Sequence, residues 1–322
     1  MPNNIIVSVI VPTYDRVSVL GKTLDLLCSQ SFQHDKYEIV VVDDCSTKDC
    51  GDLSSRYHGP PRLRFFRNTR NMGRAHTRNR GIEKARGELL IFVDDDIWVE
   101  PEFIEQHYSR HLSCQDDVAI VGAILASDSV PPTAVNTYLN NHHRWCHREM
   151  TRYNGSLPFG FCKTANLSIK RRTIETVGFF DASYVEYGSE DTELGYRLKK
   201  NGTDILFAPE AIGYHYHDET VESLVTRSMC LGRTYSQLIE QHPEIADPQR
   251  REFFIPLFNT GFSLKSLAYN AAKSILFSHF SMRINKQLVK SMNSCPRRFM
   301  VDYLIPILRM QYHHYGMTRG SI

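Results

Sequence analysis

The stretch Glu88-Leu89-Leu90-Ile91-Phe92-Val93-Asp94-Asp95-Asp96 decides how this chain is read. The apolar residues from Leu89 to Val93 fit a buried strand, and they end abruptly in three carboxylates. A strand does not bury three negative charges without partners. The C-terminal end of a parallel strand, where open α/β sheets hold their ligands, accommodates them better. Carboxylates placed there suit a hard divalent cation carrying phosphate oxygens. The competing reading is a helix N-terminus, where the helix dipole favours aspartate.

The flanking sequence repeats the pattern. Residues 5–11 are a β-branched run closed by Pro12-Thr13-Tyr14, and 37–42 are a second, ending in Asp43-Asp44-Cys45-Ser46. Residues 63–66 make a short third strand, while 18–29 and 71–85 show helical character. Strands alternating with helices predict parallel βαβ units, an α/β fold with a mostly parallel central sheet flanked by helices. The polar strand ends then gather along one edge. Val118–Ala126 and 159–170 extend the strand set, Arg171–Val177 reads as a short helix, and 191–201 as an amphipathic helix stopped by Gly202. Residues 205–208 read as a strand ending at Pro209. Residues 127–155, polar and rich in His and Asn, read as an irregular mobile loop with His142, His143 and His147 as surface residues or at most part of a lid. Beyond Glu219 the pattern is helical, with breaks at Pro256, Pro296 and Pro306. The predicted division is a catalytic domain over 1–220 and a basic, mainly helical C-terminal region over 221–322.

At 42% hydrophobic and 23% charged, the 322 residues fit a globular chain with a sizeable core. The longest apolar run, Val118–Ala126, falls far short of the ~20 residues of a membrane span, and residues 1–11 are too short and uncharged for a secretory leader. Eight cysteines stand singly without zinc-type spacing, as expected of reduced thiols in a cytoplasmic protein. The net charge of +2 conceals an asymmetry: residues 250–322 carry 11 Lys/Arg against 2 Asp/Glu, leaving 27 basic and 34 acidic residues in 1–249. A basic tail with Phe, Tyr, Leu and Ile interleaved suits peripheral contact with an anionic membrane at its inner face. A solvated helical face or a homodimer contact fits the same composition, and no nucleic acid is expected as a partner.

A set of segments occurs in a telling order: Val7-Ser8-Val9-Ile10-Val11-Pro12-Thr13-Tyr14-Asp15-Arg16, Glu38-Ile39-Val40-Val41-Val42-Asp43-Asp44-Cys45-Ser46-Thr47, Asn71-Met72-Gly73-Arg74, Arg78-Asn79-Arg80-Gly81-Ile82, Ala85-Arg86-Gly87-Glu88 and Asp94-Asp95-Asp96. Together they resemble the family 2 glycosyltransferases with the GT-A nucleotide-diphospho-sugar transferase fold. Downstream, Cys162-Lys163-Thr164-Ala165-Asn166-Leu167-Ser168, Val177-Gly178-Phe179-Phe180-Asp181 and Gly188-Ser189-Glu190-Asp191-Thr192-Glu193-Leu194 follow in sequence. They are similar to the C-terminal catalytic block of β-1,4-galactosyltransferases, polypeptide N-acetylgalactosaminyltransferases and chondroitin-type polymerases. The resemblance spans roughly residues 5–240. It departs at Tyr187-Gly188-Ser189, where galactosyltransferases carry an aromatic and two glycines.

The resemblance implies a metal-dependent, inverting transfer of a sugar from a UDP-sugar to a hydroxyl of a saccharide or lipid-linked oligosaccharide, in bacterial polysaccharide or glycoconjugate synthesis. Pro12, Thr13, Tyr14 and Asp15 would form the nucleotide turn, Tyr14 stacking on the base and Asp44 accepting from the uracil imide N–H. Gly73, Arg74 and Arg78 would meet the diphosphate, with Asp94 and Asp95 on the donor side. Asp96 would hold Mn²⁺ or Mg²⁺, with Asp94 near the metal or the ribose and His215 as a further ligand; His217 is the alternative to His215. Asp95, the middle residue of the motif, is not favoured as a ligand. Asp191 would be the general base and Glu190 would bind acceptor hydroxyls. The structural alternatives are turn capping by Asp44, helix capping by Glu190 and Asp191, and a solvated basic face for Arg74 and Arg78. Other functions to weigh are a nucleotidyltransferase, a non-catalytic nucleotide-sugar binder on a similar fold, and a retaining transferase. Pro12-Thr13-Tyr14-Asp15-Arg16 lacks the glycines of a nucleotidyltransferase loop.

Overall fold

Runs of consecutive apolar residues become central strands when helices cover both faces of a sheet. In the computed structural model, which describes residues 5–48, 50, 53, 56–246, 278–294 and 300–319, β1 (Val7–Thr13), β2 (Tyr37–Asp43) and β4 (Leu89–Val93) are such strands. With β3 (Arg62–Arg67) they form the parallel half of an eight-stranded sheet of order β3-β2-β1-β4-β7-β6-β8-β5. Thr13 pairs with Asp43 and Ile10 with Phe92, so the C-terminal ends of β1, β2 and β4 share one edge. The other half is mixed: β7 (Asn166–Lys170) runs antiparallel to β4 and to β6 (Val118–Ala126), β8 (Asp204–His215) lies parallel to β6, and the short β5 (Ile97–Val99) lies antiparallel to β8.

The helices of this first unit are α1 (Val17–Cys28), α2 (Arg74–Lys84), α3 (Phe103–Leu112), α5 (Arg171–Val177) and α6 (Glu190–Lys200). Leu20, Leu24 and Leu27 of α1 and Phe103 and Ile104 of α3 pack fully buried on Val9, Val11, Ile39, Val41 and Ile91. Each such side chain contributes about 1.5–3 kcal/mol through burial.

Three expectations are corrected here. Residues 127–155 are not an irregular loop, because α4 (Ala134–Thr151) runs through them. Asn, His and Thr are poor helix formers, and they masked the helical spacing of Val135, Leu139, Cys146 and Met150. Tertiary burial overrides propensity: Ala134 and Val135 are fully buried in the apolar core of the second unit, while residues 143–151 belong to the first. Nor does β8 end at Pro209. Gly122 pairs with Ala208 but Ala123 pairs with Ile212, so Pro209-Glu210-Ala211 bulge out of register. Proline, which has no N–H to donate, is tolerated at a bulge. The start of the expected 159–170 strand is instead a 3-10 turn, Phe159–Phe161, and β7 begins at Asn166.

A buried polar network fixes the bulge. The Asn166 Nδ2 donates to the carbonyls of Ala123 (3.0 Å) and Ala211 (2.9 Å), and its Oδ1 accepts from His107 Nε2 at 2.8 Å. Ser168 Oγ donates to His107 Nδ1 (2.8 Å) and accepts from His111 Nε2 (2.9 Å). A Cβ on Gly122 would lie 2.4 Å from the Asn166 amide, so the amide needs a glycine there.

The second unit takes residues 129–142, 187–189 and the described residues from 217 onward. α7 (Val221–Gln241) opens with a capping box in which Thr220 and Ser223 satisfy each other's backbone N–H groups. Val221, Leu224 and Val225 pack with Val289 of α8 (His279–Met292), with Val301, and with Ile305 and Leu308 of α9 (Ile305–Arg319). Among the described residues no helix is long and apolar enough to cross a membrane. Pro256 and Pro296 lie outside the described residues, and Pro306 does not break the helix as expected: a π-helical turn, Met300–Leu304, leads directly into α9, the wider turn accommodating a residue without an N–H to donate.

Burial lowers His107 from 6.5 to about 4 and His111, further lowered by neighbouring His107 and Lys170, to about 3. A neutral imidazole held in the fold stabilises it above the unfolded value and loses that contribution as pH falls from 6.5 toward 4. Denaturant unfolding is expected to show stability falling by about 1.4 kcal/mol per pH unit for each histidine across that window. The variant His107→Gln should be flatter there than the parent; an unchanged slope would contradict the network.

Candidate active site

The acidic triplet follows β4 directly, on the edge shared with β1 and β2. Asp95 and Asp96 are buried, and the side chain of Asp94 is 22% exposed. Thr13 Oγ1, at the end of β1, donates to Asp95 Oδ2 at 2.6 Å, and Thr23 Oγ1 of α1 donates to the Asp95 carbonyl at 2.7 Å. The middle carboxylate is therefore a structural anchor. Burial, reinforced by neighbouring Asp96, pushes it up to about 7 despite Arg16. Burial acts on Asp96 in the same sense, but His215 and Arg16 beside it hold it well below the usual carboxylate range.

Arg16 is a residue that the spacing of motifs did not single out. Its Nη1 contacts Asp96 Oδ2 and lies 3.6 Å from Asp95 Oδ1. The available signal was a lone cation three residues past a strand end, on the edge that also receives the triplet.

His215 reaches the same Asp96 oxygen from the far half of the sheet, with Nε2 3.2 Å from Oδ2. The backbone arranges this: Ile97 pairs with His215, the Tyr216 N–H donates to the Asp96 carbonyl at 2.9 Å, and the Ser127 N–H donates to the His215 carbonyl at 3.2 Å. The other ring nitrogen, Nδ1, hydrogen-bonds with His143 Nε2 at 3.1 Å, the two rings meeting edge to face. His143 was expected on the surface of a loop; α4 brings it to His215 instead. His147 likewise packs edge-on against Phe207, and His142 is half-buried in the second unit. His217 is buried and belongs to the second unit.

Asp44, at the end of β2, is buried and accepts three hydrogen bonds: from Asn68 Nδ2 (2.7 Å), Met72 N–H (2.8 Å) and Gly73 N–H (2.9 Å). It caps the turn that starts α2. Gly73 has φ +84° and a Cβ there would stand 2.7 Å from the Val185 carbonyl, so both conformation and space require glycine. Arg74 follows, half-buried at the N-terminus of α2. On the β1 side, Pro12 is half-buried, Tyr14 is 45% exposed, and Asp15, at φ +54°, accepts from the Thr47 N–H (2.6 Å) and hydroxyl (2.7 Å).

Arg78, one turn beyond Arg74, points inward. Its guanidinium is 1% exposed, donating from Nη2 to Asp94 Oδ1 (2.8 Å) and from Nη1 to Glu190 Oε1 (3.0 Å). The solvated face suggested by the helical spacing does not describe this placement. Glu190 and Asp191 open α6. Glu190 is buried, and Asp191 is half-buried, with Oδ1 accepting from the Thr192 N–H at 2.7 Å and Oδ2 3.4 Å from Lys163 Nζ. Lys163 and Arg16 had figured only within motifs, and His143 only as a surface or lid residue.

Comparison with known proteins places this geometry. The Glycosyl transferase family 2 model matches residues 8–172. The chain belongs to glycosyl transferase family 2. Chondroitin synthase from Escherichia coli is 24% identical over 263 residues, covering 73% of this chain and 38% of that one. The chain spans 38–62% of the length of the first curated relatives it matches. A Pyrobaculum calidifontis mannosyltransferase solved with GDP-Man and Mn²⁺ superimposes with a TM-score of 0.59 at 18% identity, covering 94% of this chain and 85% of that one. S. aureus TarS 1–349 solved with UDP-GlcNAc superimposes with a TM-score of 0.55 at 17% identity, covering 96% and 90%. The fold is that of the GT-A glycosyltransferases.

In this family 2 glycosyltransferase Arg78 ties the strand-end carboxylate Asp94 to Glu190, which lies 112 residues after Arg78 itself. Removing one partner of a buried ion cluster leaves uncompensated charge. Arg78→Met is expected to destabilise the fold by about 3–5 kcal/mol in denaturant titration; a loss under about 1 kcal/mol would show that the cluster carries little of the fold's stability.

Proposed function

We propose that the chain transfers a sugar from a UDP-sugar to a hydroxyl of a saccharide or lipid-linked oligosaccharide, with inversion and with a divalent metal held by Asp96 and His215. The observation that carries this reading is the 3.2 Å separation of Asp96 Oδ2 and His215 Nε2. It is close to the ~3 Å between adjacent ligands of a small octahedral cation; the carboxylate oxygens suit Mn²⁺ or Mg²⁺, and the imidazole nitrogen favours Mn²⁺, the softer of the two. Asp94 would complete the chain's ligand set; His215 is preferred to His217 because of its contact with Asp96. Supporting this are the Mn²⁺ in the mannosyltransferase neighbour, the UDP-GlcNAc in TarS, and the polysaccharide synthase among the relatives. When bound, the metal offsets the charge that builds on the leaving diphosphate.

The chain's own residues supply the remaining work. Tyr14, exposed at the end of β1, stacks on the base, with Pro12, Thr13 and Asp15 shaping its turn. A carboxylate has about four acceptor sites, so Asp44, which accepts three hydrogen bonds within the fold, keeps one for the uracil imide. Arg74 and the N-terminus of α2 after Gly73 attract the diphosphate. Arg78 serves as a lock between donor and acceptor carboxylates. Asp191 takes the proton of the acceptor hydroxyl as the diphosphate departs from the opposite face, and Glu190 is held beside it by Arg78. An α-linked donor then yields a β-linked product.

We place the protein in the cytoplasm at the inner membrane face. Support comes from the basic C-terminal region and from α8, where Phe280, Ile284 and Leu288 are exposed four residues apart on a helix that also carries Arg283, Lys286 and Lys290. Flotation with anionic but not neutral vesicles, lost in Phe280→Ser/Leu288→Ser, is the expected result; equal recovery with both vesicle types would refute it.

Asp191→Asn should bind UDP as the parent does while transfer falls about 10²–10⁴-fold, and near-normal transfer would remove Asp191 as the base. EDTA should abolish turnover and Mn²⁺ or Mg²⁺ restore it. An α-linked product by NMR would overturn inversion.

A further inference from the structure

We infer that Arg16 is a displaceable counter-cation: without metal it sits on Asp95 and Asp96, and metal with nucleoside diphosphate moves it from the carboxylates to the diphosphate, so that the two ligands bind as a coupled pair. The inference rests on the reading that Asp96 ligates a metal.

Four observations converge on it. Arg16 Nη1 contacts Asp96 Oδ2, the oxygen that His215 Nε2 reaches at 3.2 Å. A guanidinium and a divalent ion on one oxygen repel each other, so the two cannot share it. The carboxylates are buried whereas the Arg16 side chain is 39% exposed, so it already borders solvent. Its backbone is fixed, the Arg16 carbonyl accepting from the Val19 and Leu20 N–H groups at 3.1 and 3.0 Å at the start of α1, so only the side chain need move. Finally, Asp95 is held independently by Thr13 and keeps its place when Arg16 leaves.

The charge balance gives the coupling its sign. Metal alone must expel Arg16 into solvent, which weakens metal binding. Metal accompanied by a diphosphate gives the expelled guanidinium two anionic groups, a geometry arginine meets with paired hydrogen bonds. Arg16 is thus a positioning residue for the cation and a binding residue for the leaving group.

The test uses the full chain, with Mn²⁺ affinity read by EPR of free Mn²⁺ with and without UDP. In the parent, UDP should tighten Mn²⁺ at least about tenfold, within the range usual for coupled sites. Arg16→Gln should bind Mn²⁺ alone about tenfold tighter than the parent and lose most of the UDP-induced gain. Arg16→Lys keeps the charge but not the paired contacts, so Mn²⁺ alone should bind as in the parent, with a smaller gain from UDP. If either variant departs from this order, or if Arg16→Gln binds Mn²⁺ alone no tighter, the inference is wrong. Asp96→Asn separates the premise: if it leaves Mn²⁺ affinity unchanged, the metal reading fails before the role of Arg16 is reached.

Discussion

Three consecutive carboxylates at the end of a buried strand set the terms for the rest of this molecule. Two unit charges 4 Å apart interact by about 4 kcal/mol at the effective dielectric of a protein near its surface, and Asp95 and Asp96 are buried side by side. The compensation comes from elements far apart in sequence: Arg16 after β1, Arg78 from α2 and His215 from the end of β8. Each of these contacts draws one element toward the strand end, so the charge problem also assembles the site.

A second buried polar centre does for the geometry what the carboxylates do for the charge. Asn166 spans two carbonyls exposed by the bulge at Pro209-Glu210-Ala211 and is steadied by His107. Without partners those carbonyls would cost about 1–3 kcal/mol each. With the bulge held, β8 resumes pairing in the register that places His215 opposite Ile97, one residue past the triplet. A network buried away from the candidate site thereby decides which face His215 presents.

Arg78 joins the two chemistries proposed for the site. A fully buried guanidinium between Asp94 and Glu190 holds the two carboxylates, for which donor-side and acceptor-side roles are proposed, in one arrangement. Its partners also determine its role, because side-chain direction and burial, and not the one-turn spacing from Arg74, decide what it can touch.

The sequence by itself determined the alternation of strands and helices, the acidic triplet at a strand end, the amphipathic helix opened by Glu190 and Asp191, and membership of the family, because local periodicity and ordered motifs are written in neighbouring residues. Only the tertiary structure decided the helix over Ala134–Thr151, whose polar composition conceals faces that exist only once something packs against them. It also decided the continuation of β8 past Pro209, the seat of Arg16 on Asp96, the contact of His143 with His215 and the inward turn of Arg78. Those depend on charges and carbonyls meeting across 72 to 80 residues or more, and the free energy of burying such groups is a property of the partners they find, which no local pattern encodes.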